Sequence, residues 1–195
     1  MKASHILVLD SSTPTLFLGL MQERMVLGHH LEVMDRNHAE FMLPRILSFL
    51  KRFNLELFDI TDVMVGHGPG SFTGVRLALT LIKTLALLQP LRVFPISTLH
   101  LFAYESKVMI SLDARSGRRY VGIYQGHHIV MPPKIVVEKD LPSLQRQFPH
   151  TKAMSVETAL GQPDLILKHL KEMYPQLSPL ADVQMLNPLY LKDLL

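Results

Sequence analysis

Two stretches of this sequence hold residues that could do chemistry, and both end runs of apolar residues. The first is LDSST, where Asp10, Ser11, Ser12 and Thr13 follow the run Ile6–Leu9. A carboxylate beside hydroxyls at a strand end can hold a hydrated metal or face a phosphate. The same residues also make a polar turn closed by Pro14. The second is VGHGPGSFTGVR, which carries Gly66, Gly68, Gly70 and Gly74, four of the ten glycines in the chain. Ser71 and Thr73 stand where the next helix should be capped, and free N–H groups there can bind an anion. The competing reading is a tight strand-to-helix turn with Ser71 or Thr73 as its cap. The candidate phosphate or nucleotide residues are therefore Asp10, Ser12, Thr13, Gly68, Gly70, Ser71, Thr73 and Gly74.

Other chemistry is excluded by spacing. A P-loop needs a lysine and four residues between its glycines, and neither is present. A dinucleotide fingerprint needs an acidic residue about 20 positions further on, but the next acid is Glu105. No two of the ten histidines lie four positions apart, so the helical histidine pair of a metallopeptidase is absent. No G-x-S-x-G elbow occurs. With no cysteine, neither a disulfide nor a thiolate metal site can form. These absences predict no catalytic metal and no peptidase. The charge of +3 permits nucleic-acid contact without arguing for it. No signal core and no run of about 18 apolar residues is visible. The expectation is a cytoplasmic chain without a membrane span.

The elements that must position these residues follow from periodicity. HILVLD, TLFLGLM and MVLGHHLEVM read as three strands, the last two a hairpin. NHAEFMLPRILSFLKRFN reads as a helix with a capping pair, Asn37 and Glu40, and with Pro44 inside the pattern or at its true start. ITDVMVG is a strand delivering the glycine loop. A second helix spans Phe72–Leu88, RVFPIS is a strand, and STLHLFAYES is a short helix. KVMISLDARSGRRYVGIYQG reads as two strands around Ser116 and Gly117. HHIVMPPKIVVEKD is strand-like with a break at Pro132–Pro133, and QPDLILKHLKEMY is a helix. The tail MLNPLYLKDLL is open between strand, helix and extended arm. The order predicts an α/β fold with a mixed sheet, a first lobe over 1–100 and a second over 101–195.

Eleven of these residues, GHGPGSFTGVR, resemble the G-R-G-P-G-S-F-T-G-[LV]-R signature of the TsaB (YeaZ) family, with His67 in place of arginine. LDSST, NHAEFMLP, STL, DARSGRRY and NPLYLKD resemble that family's other motifs in the same order. The resemblance implies an actin-like, ribonuclease-H-like (ASKHA) fold of two related lobes, with a five-stranded mixed sheet in the first. The second lobe is expected to be shortened after Gln125. Arg118 stands where the family has glutamate, so a role of that acid does not carry over. The resemblance further implies a non-catalytic scaffold or activator of tRNA threonylcarbamoyladenosine biosynthesis. Its partner would be a TsaD-type catalytic subunit. A TsaE-type ATPase and tRNA would join in a larger complex, and a homodimer could form when the chain is alone. No cofactor is required, although ATP or ADP could sit at the subunit junction. The alternative is a stand-alone actin-like ATPase or phosphotransferase using Asp10, Thr13 and the glycine loop, with Asp113 as the second carboxylate.

Helix Phe72–Leu88 places its polar residues, Arg76, Thr80, Lys83 and Thr84, on one narrow stripe. One sheet face cannot bury so wide an apolar arc. The remainder is covered either by the first helix or by another subunit. The resemblance favours a subunit, and the expected contact residues are Phe41, Leu43, Ile46, Leu47, Leu50, Leu77, Leu81, Ile82 and Leu85.

Overall fold

The computed structural model describes residues 4–23, 25–34 and 38–191. Its first sheet begins with β1 (His5–Asp10), whose apolar run is wholly buried after His5. An antiparallel meander follows through β2 (Thr15–Gln22) and β3 (Met25–Val33). Helix α1 (His38–Lys51) then crosses to β4 (Ile60–Gly66), which pairs parallel with β1. Helix α2 (Phe72–Leu88) crosses again to β5 (Arg92–Ile96), parallel to β4. The resulting order, β3-β2-β1-β4-β5, is the expected five-stranded mixed sheet. Asn37 of the expected capping pair lies outside the described residues, and α1 runs through Pro44 instead of starting there.

The short helix α3 (Thr98–Leu101) leads into a second meander, β6 (Val108–Asp113), β7 (Arg118–Gln125) and β8 (His128–Val137). Helix α4 (Leu141–Gln147) returns the chain to β9 (Lys152–Ser155), parallel to β6. Helices α5 (Val156–Leu160) and α6 (Pro163–Met173) follow. The second order, β8-β7-β6-β9, repeats the first four positions of the first sheet, with the same strand directions. This repeat is the signature of the actin-like fold, and among the described residues the second copy has four strands to the first copy's five.

Expectation and structure part at β8. Pro132 and Pro133 do not break it; they sit in a bulge opposite Gly122, between the pairs Val121–Lys134 and Ile123–Met131. β8 is an edge strand, where a missing N–H needs no partner. The described part of the tail, to Leu191, runs as an extended arm. Leu180 N donates to Val93 O (2.8 Å) and Leu186 is buried in the core of the first sheet.

Alternation along the strands sorts the core into layers. Leu7, Leu9, Leu18, Val63 and Val65 face α1 and α2. Ile6, Val8, Phe17, Met64 and Phe94 face α3, α5, α6 and one side of the second sheet. The outer side of the second sheet buries Met109, Val121, Ile123 and Met131 with Leu144 of α4.

Two buried polar knots tie these layers together. Asp62 in β4 is fully buried, and Arg92 at the start of β5 donates to both its oxygens, Nε at 2.7 Å and Nη2 at 3.0 Å. Thr61, Ser4 and the Tyr174 hydroxyl (3.1 Å) also donate to Asp62. Burial alone would raise its carboxyl. The bonds from Arg92, Ser4 and Thr61 outweigh burial and hold it below the usual carboxylate value. The second knot joins α6 to α3. His169 Nε2 donates to the His100 carbonyl (3.3 Å), and the His100 ring stacks on Tyr124 at 4.3 Å. Burial, with His100 alongside, lowers His169 to about 4, and burial lowers His100 too.

Arg92→Ala leaves the Asp62 carboxylate buried with hydroxyl donors alone. We expect a loss of about 2 kcal/mol in urea unfolding at neutral pH, with the difference shrinking once Asp62 is protonated at acid pH. A variant as stable as the parent would refute the anchoring role. For His169, the unfolded chain takes up a proton near pH 6.5 while the folded chain does so only near 4. Its stabilising effect is complete above pH 6.5 and declines by about 3 kcal/mol as pH falls to 4. His169→Gln should flatten the stability profile over that window.

Candidate functional site

β1 delivers Asp10 to the interior. Its side chain is fully buried and already partnered. The Ser12 N–H (2.9 Å) and Oγ (2.7 Å) donate to Oδ1, and Thr98 Oγ1 at the start of α3 donates to Oδ2 (2.9 Å). Burial raises this carboxyl, and the Ser12 and Thr98 bonds pull against it. Thr13 is used locally, donating to Thr15 O (2.9 Å).

The glycine loop is shaped by how closely this turn approaches it. A Cβ on Gly66 would lie 1.8 Å from Asp10 Oδ2. On Gly74 it would lie 1.9 Å from Ser11 O, and on Gly70 it would lie 2.4 Å from Ser12 O. The Ser71 N–H donates to Ser12 O (2.6 Å) and Ser11 Oγ donates to Gly74 O (2.8 Å). Gly68, at φ +104°, needs the left-handed freedom of glycine. Its outer side faces the C-terminal arm, with Leu189 O 3.2 Å from a Cβ position. His67, in place of the signature arginine, grips the same arm. Its carbonyl accepts from Leu189 N (2.7 Å) and its Nδ1 donates to Asn187 O (3.3 Å). Ser71 Oγ caps α2 by accepting from Gly74 N (3.2 Å).

Of the expected phosphate residues, Asp10, Ser12, Thr13, Gly68 and Gly74 are therefore buried against protein. Gly70 is half-buried, and Ser71 and Thr73 are exposed. A cleft of about 380 Å³ lies in front of Ser71 and Thr73. Its far wall is the end of β6 and the following turn: Leu112, Asp113, Ala114, Arg115 and Tyr120. Asp113 ends β6 as Asp10 ends β1, so the repeated topology aims both strand ends at one cleft. Asp113 is exposed and its Oδ1 accepts the Arg115 N–H (2.8 Å). Tyr120, Arg115 and Phe72 belong to this cleft; they stand inside the motifs DARSGRRY and GHGPGSFTGVR but were not among the expected site residues. The signal that could have found them is the repeat itself. Beside the cleft, Arg119 faces Glu138 and Glu157 at 3.8 Å each. Among the described residues, no group of three histidines or acids gathers within reach of a metal ion.

The expected contact residues divide sharply. Ile46, Leu50, Ile82 and Leu85 lie in the core between the helices and the first sheet. That overturns their assignment to a partner surface, because they occupy the arc of each helix that faces Leu7, Leu9 and Val63. Leu43 and Leu47 are exposed, and Phe41, Leu77 and Leu81 are half-buried at the core margin. Leu87, Leu88 and Phe58 extend this outward apolar surface and were outside the expected set. Gln89 ties the end of α2 to the turn carrying Phe58 through Leu57 O (3.5 Å) and Ile60 O (3.1 Å).

Comparison with known proteins agrees with this architecture. Residues 25–161 match the family described as TsaD: tRNA N6-adenosine threonylcarbamoyltransferase. The tRNA threonylcarbamoyladenosine biosynthesis protein TsaB of Bacillus subtilis is 33% identical over 125 residues, covering 62% of this chain and 55% of that protein. TsaB of Escherichia coli is 32% identical over 152 residues, 69% of this chain and 65% of that protein. The matches thus span less than two thirds of these relatives' length. The solved structure of YeaZ from Pseudomonas aeruginosa superposes with a TM-score of 0.76 over 96% of this chain and all of the other, at 23% identity, which speaks to the fold. Together with the glycine loop packed on LDSST, these matches place the chain in the TsaB (YeaZ) family.

Proposed function

We propose that this chain is a non-catalytic scaffold subunit for tRNA threonylcarbamoyladenosine biosynthesis, pairing with a TsaD-type catalytic subunit through the outward faces of α1 and α2. The observation that carries this reading is the apolar surface of Leu43, Leu47, Leu87, Leu88 and Phe58, which no described element of the chain covers. Surfaces of this kind usually meet another protein. The curated relatives bear TsaB names, and the matched family model describes TsaD itself, which supports a common assembly. Within it, a TsaE-type ATPase and tRNA would join the pair, and the same helices could pair two copies when the partner is absent. No cofactor is needed for this role. If ATP or ADP sits at the junction, the cleft before Ser71 and Thr73 is the place that would receive it.

The state of Asp10 weighs against the second reading, a stand-alone ATPase. Its carboxylate is buried, fully hydrogen-bonded and walled by Gly66, so it cannot reach a nucleotide or metal in the cleft without the loop moving.

Two experiments separate these readings. Mixed with a TsaD-type subunit from the same organism, the protein should form a one-to-one complex in size-exclusion chromatography with light scattering. Leu47→Asp and Leu81→Asp should weaken that complex at least about tenfold while leaving the fold intact; no complex with the parent protein would sink the scaffold reading. Asp10→Asn should destabilise the chain by about 1–3 kcal/mol by placing an amide among hydroxyl donors. ATP turnover by the purified protein should be absent before and after that change, and turnover abolished by Asp10→Asn would establish the enzyme instead.

A further inference from the structure

Phe72, Arg76 and Tyr190 form an exposed cluster at the first turns of α2. The Arg76 guanidinium carbon lies 3.7 Å from the centre of the Phe72 ring, one helical turn back. The Tyr190 ring, carried by the C-terminal arm, stacks on Phe72 with centroids 5.7 Å apart. The Tyr190 hydroxyl accepts from Arg76 Nε at 2.6 Å. Both rings are more than half exposed. Two residues, Phe72 and Tyr190, therefore hold one long side chain in place. Among the described residues, Nε makes the only hydrogen bond of that side chain.

Holding an arginine this way costs conformational entropy in the free protein. It also leaves the two Nη groups as a rigid fork, the shape that meets a carboxylate bidentately. Helix α2 carries Arg76 and Lys83 and no acidic residue. Across the helix pair, Lys51 and Arg52 are exposed, and Arg45 is already paired with Glu32 at 2.7 Å. The border of the outward apolar surface is therefore net basic, with Arg76, Lys83, Lys51 and Arg52 against the exposed acids Glu40 and Glu56. A second copy of this chain would bring the same basic border with it. A partner with acidic side chains around an apolar centre complements it.

We infer that Arg76, clamped by Phe72 and Tyr190, is a preorganised anchor for a carboxylate on the partner protein that docks on α1 and α2. The arm residue Tyr190 thereby belongs to the docking surface, because it fixes the direction in which the fork points. This inference rests on the scaffold reading above, and it extends the contact beyond the apolar helices to the start of α2 and the arm.

The test is the affinity of the full chain for the TsaD-type subunit, measured by calorimetry at about 50 and about 500 mM salt. Circular dichroism melts would check that each variant is folded. Arg76→Ala should weaken binding about tenfold and Arg76→Glu about a hundredfold. Arg76→Lys should recover only part of the loss, since it keeps the charge and not the fork. Tyr190→Phe, which keeps the ring and removes the acceptor, should fall between parent and Arg76→Ala. High salt should weaken the parent more than Arg76→Ala. If all four variants bind like the parent while Leu47→Asp abolishes binding, the carboxylate anchor is wrong and the apolar scaffold stands. If the parent does not bind, both fall. Unchanged protein affinity with weakened binding of tRNA by Arg76→Ala would assign the fork to a phosphate and overturn the proposal. Tighter self-association of the parent than of Arg76→Ala, with no effect on the heterologous pair, would assign it to a second copy and overturn it likewise.

Discussion

The carbonyl oxygens of Ser11 and Ser12 press on the glycine loop at distances that no Cβ could tolerate. Much of the first half of the molecule is arranged around that approach. It brings the end of β1 against the start of α2, so the helix leaves the sheet at a fixed height and angle. It encloses the Asp10 carboxylate between Ser12, Thr98 and Gly66, which joins β1, β4 and α3 at one point. With α2 fixed there, its inner arc of Ala78, Leu79, Ile82 and Leu85 meets the sheet, and its outer arc turns away from the molecule. A side chain larger than hydrogen at Gly74 would have to move the backbone of the β1–β2 turn, and α2 would move with it; at Gly66 it would displace the Asp10 carboxylate.

A loop that resembles a phosphate cradle has thus been filled from within. Two of the hydrogen-bond donors that could meet a ligand are spent on the chain: Ser71 N–H on Ser12 O, and Gly74 N–H on Ser71 Oγ. What stays open is the space in front, between Thr73 and Arg115.

Much of this was legible in the sequence because it depended on local pattern. The buried strands announce themselves as short apolar runs, and α2 begins and ends where Ser71 and Pro90 say it should. The shorter elements α4, β9 and α5 have four to seven residues each, too few to show a period, and they went unread. The prolines of β8 look like a break until its edge position is known. In α2, apolar residues cover most of the circumference, so periodicity could not say which leucines face the sheet; Ile82 and Leu85 were assigned outward and lie inward. The glycines declared a close approach but not what approaches. Those groups, Asp10, Ser11, Ser12 and Leu189, lie 56 or more positions away in sequence, from the separation of Asp10 and Gly66 upward. Such long-range pairing leaves no local trace.

The arm from Leu180 to Tyr190 has a consequence for how the molecule is made. The first sheet and both of its helices are synthesised early, yet the flank of β5, the outer side of Gly68 and the ring of Phe72 are covered only by the last described residues. During translation the first half must wait, with that flank bare, until residues 180–190 have left the ribosome. Long loop closure of this kind is slow compared with local helix and hairpin formation. The finished surface around Arg76 therefore exists only once Tyr190 has been made, so a product truncated before it would display the apolar helices without the clamp beside them.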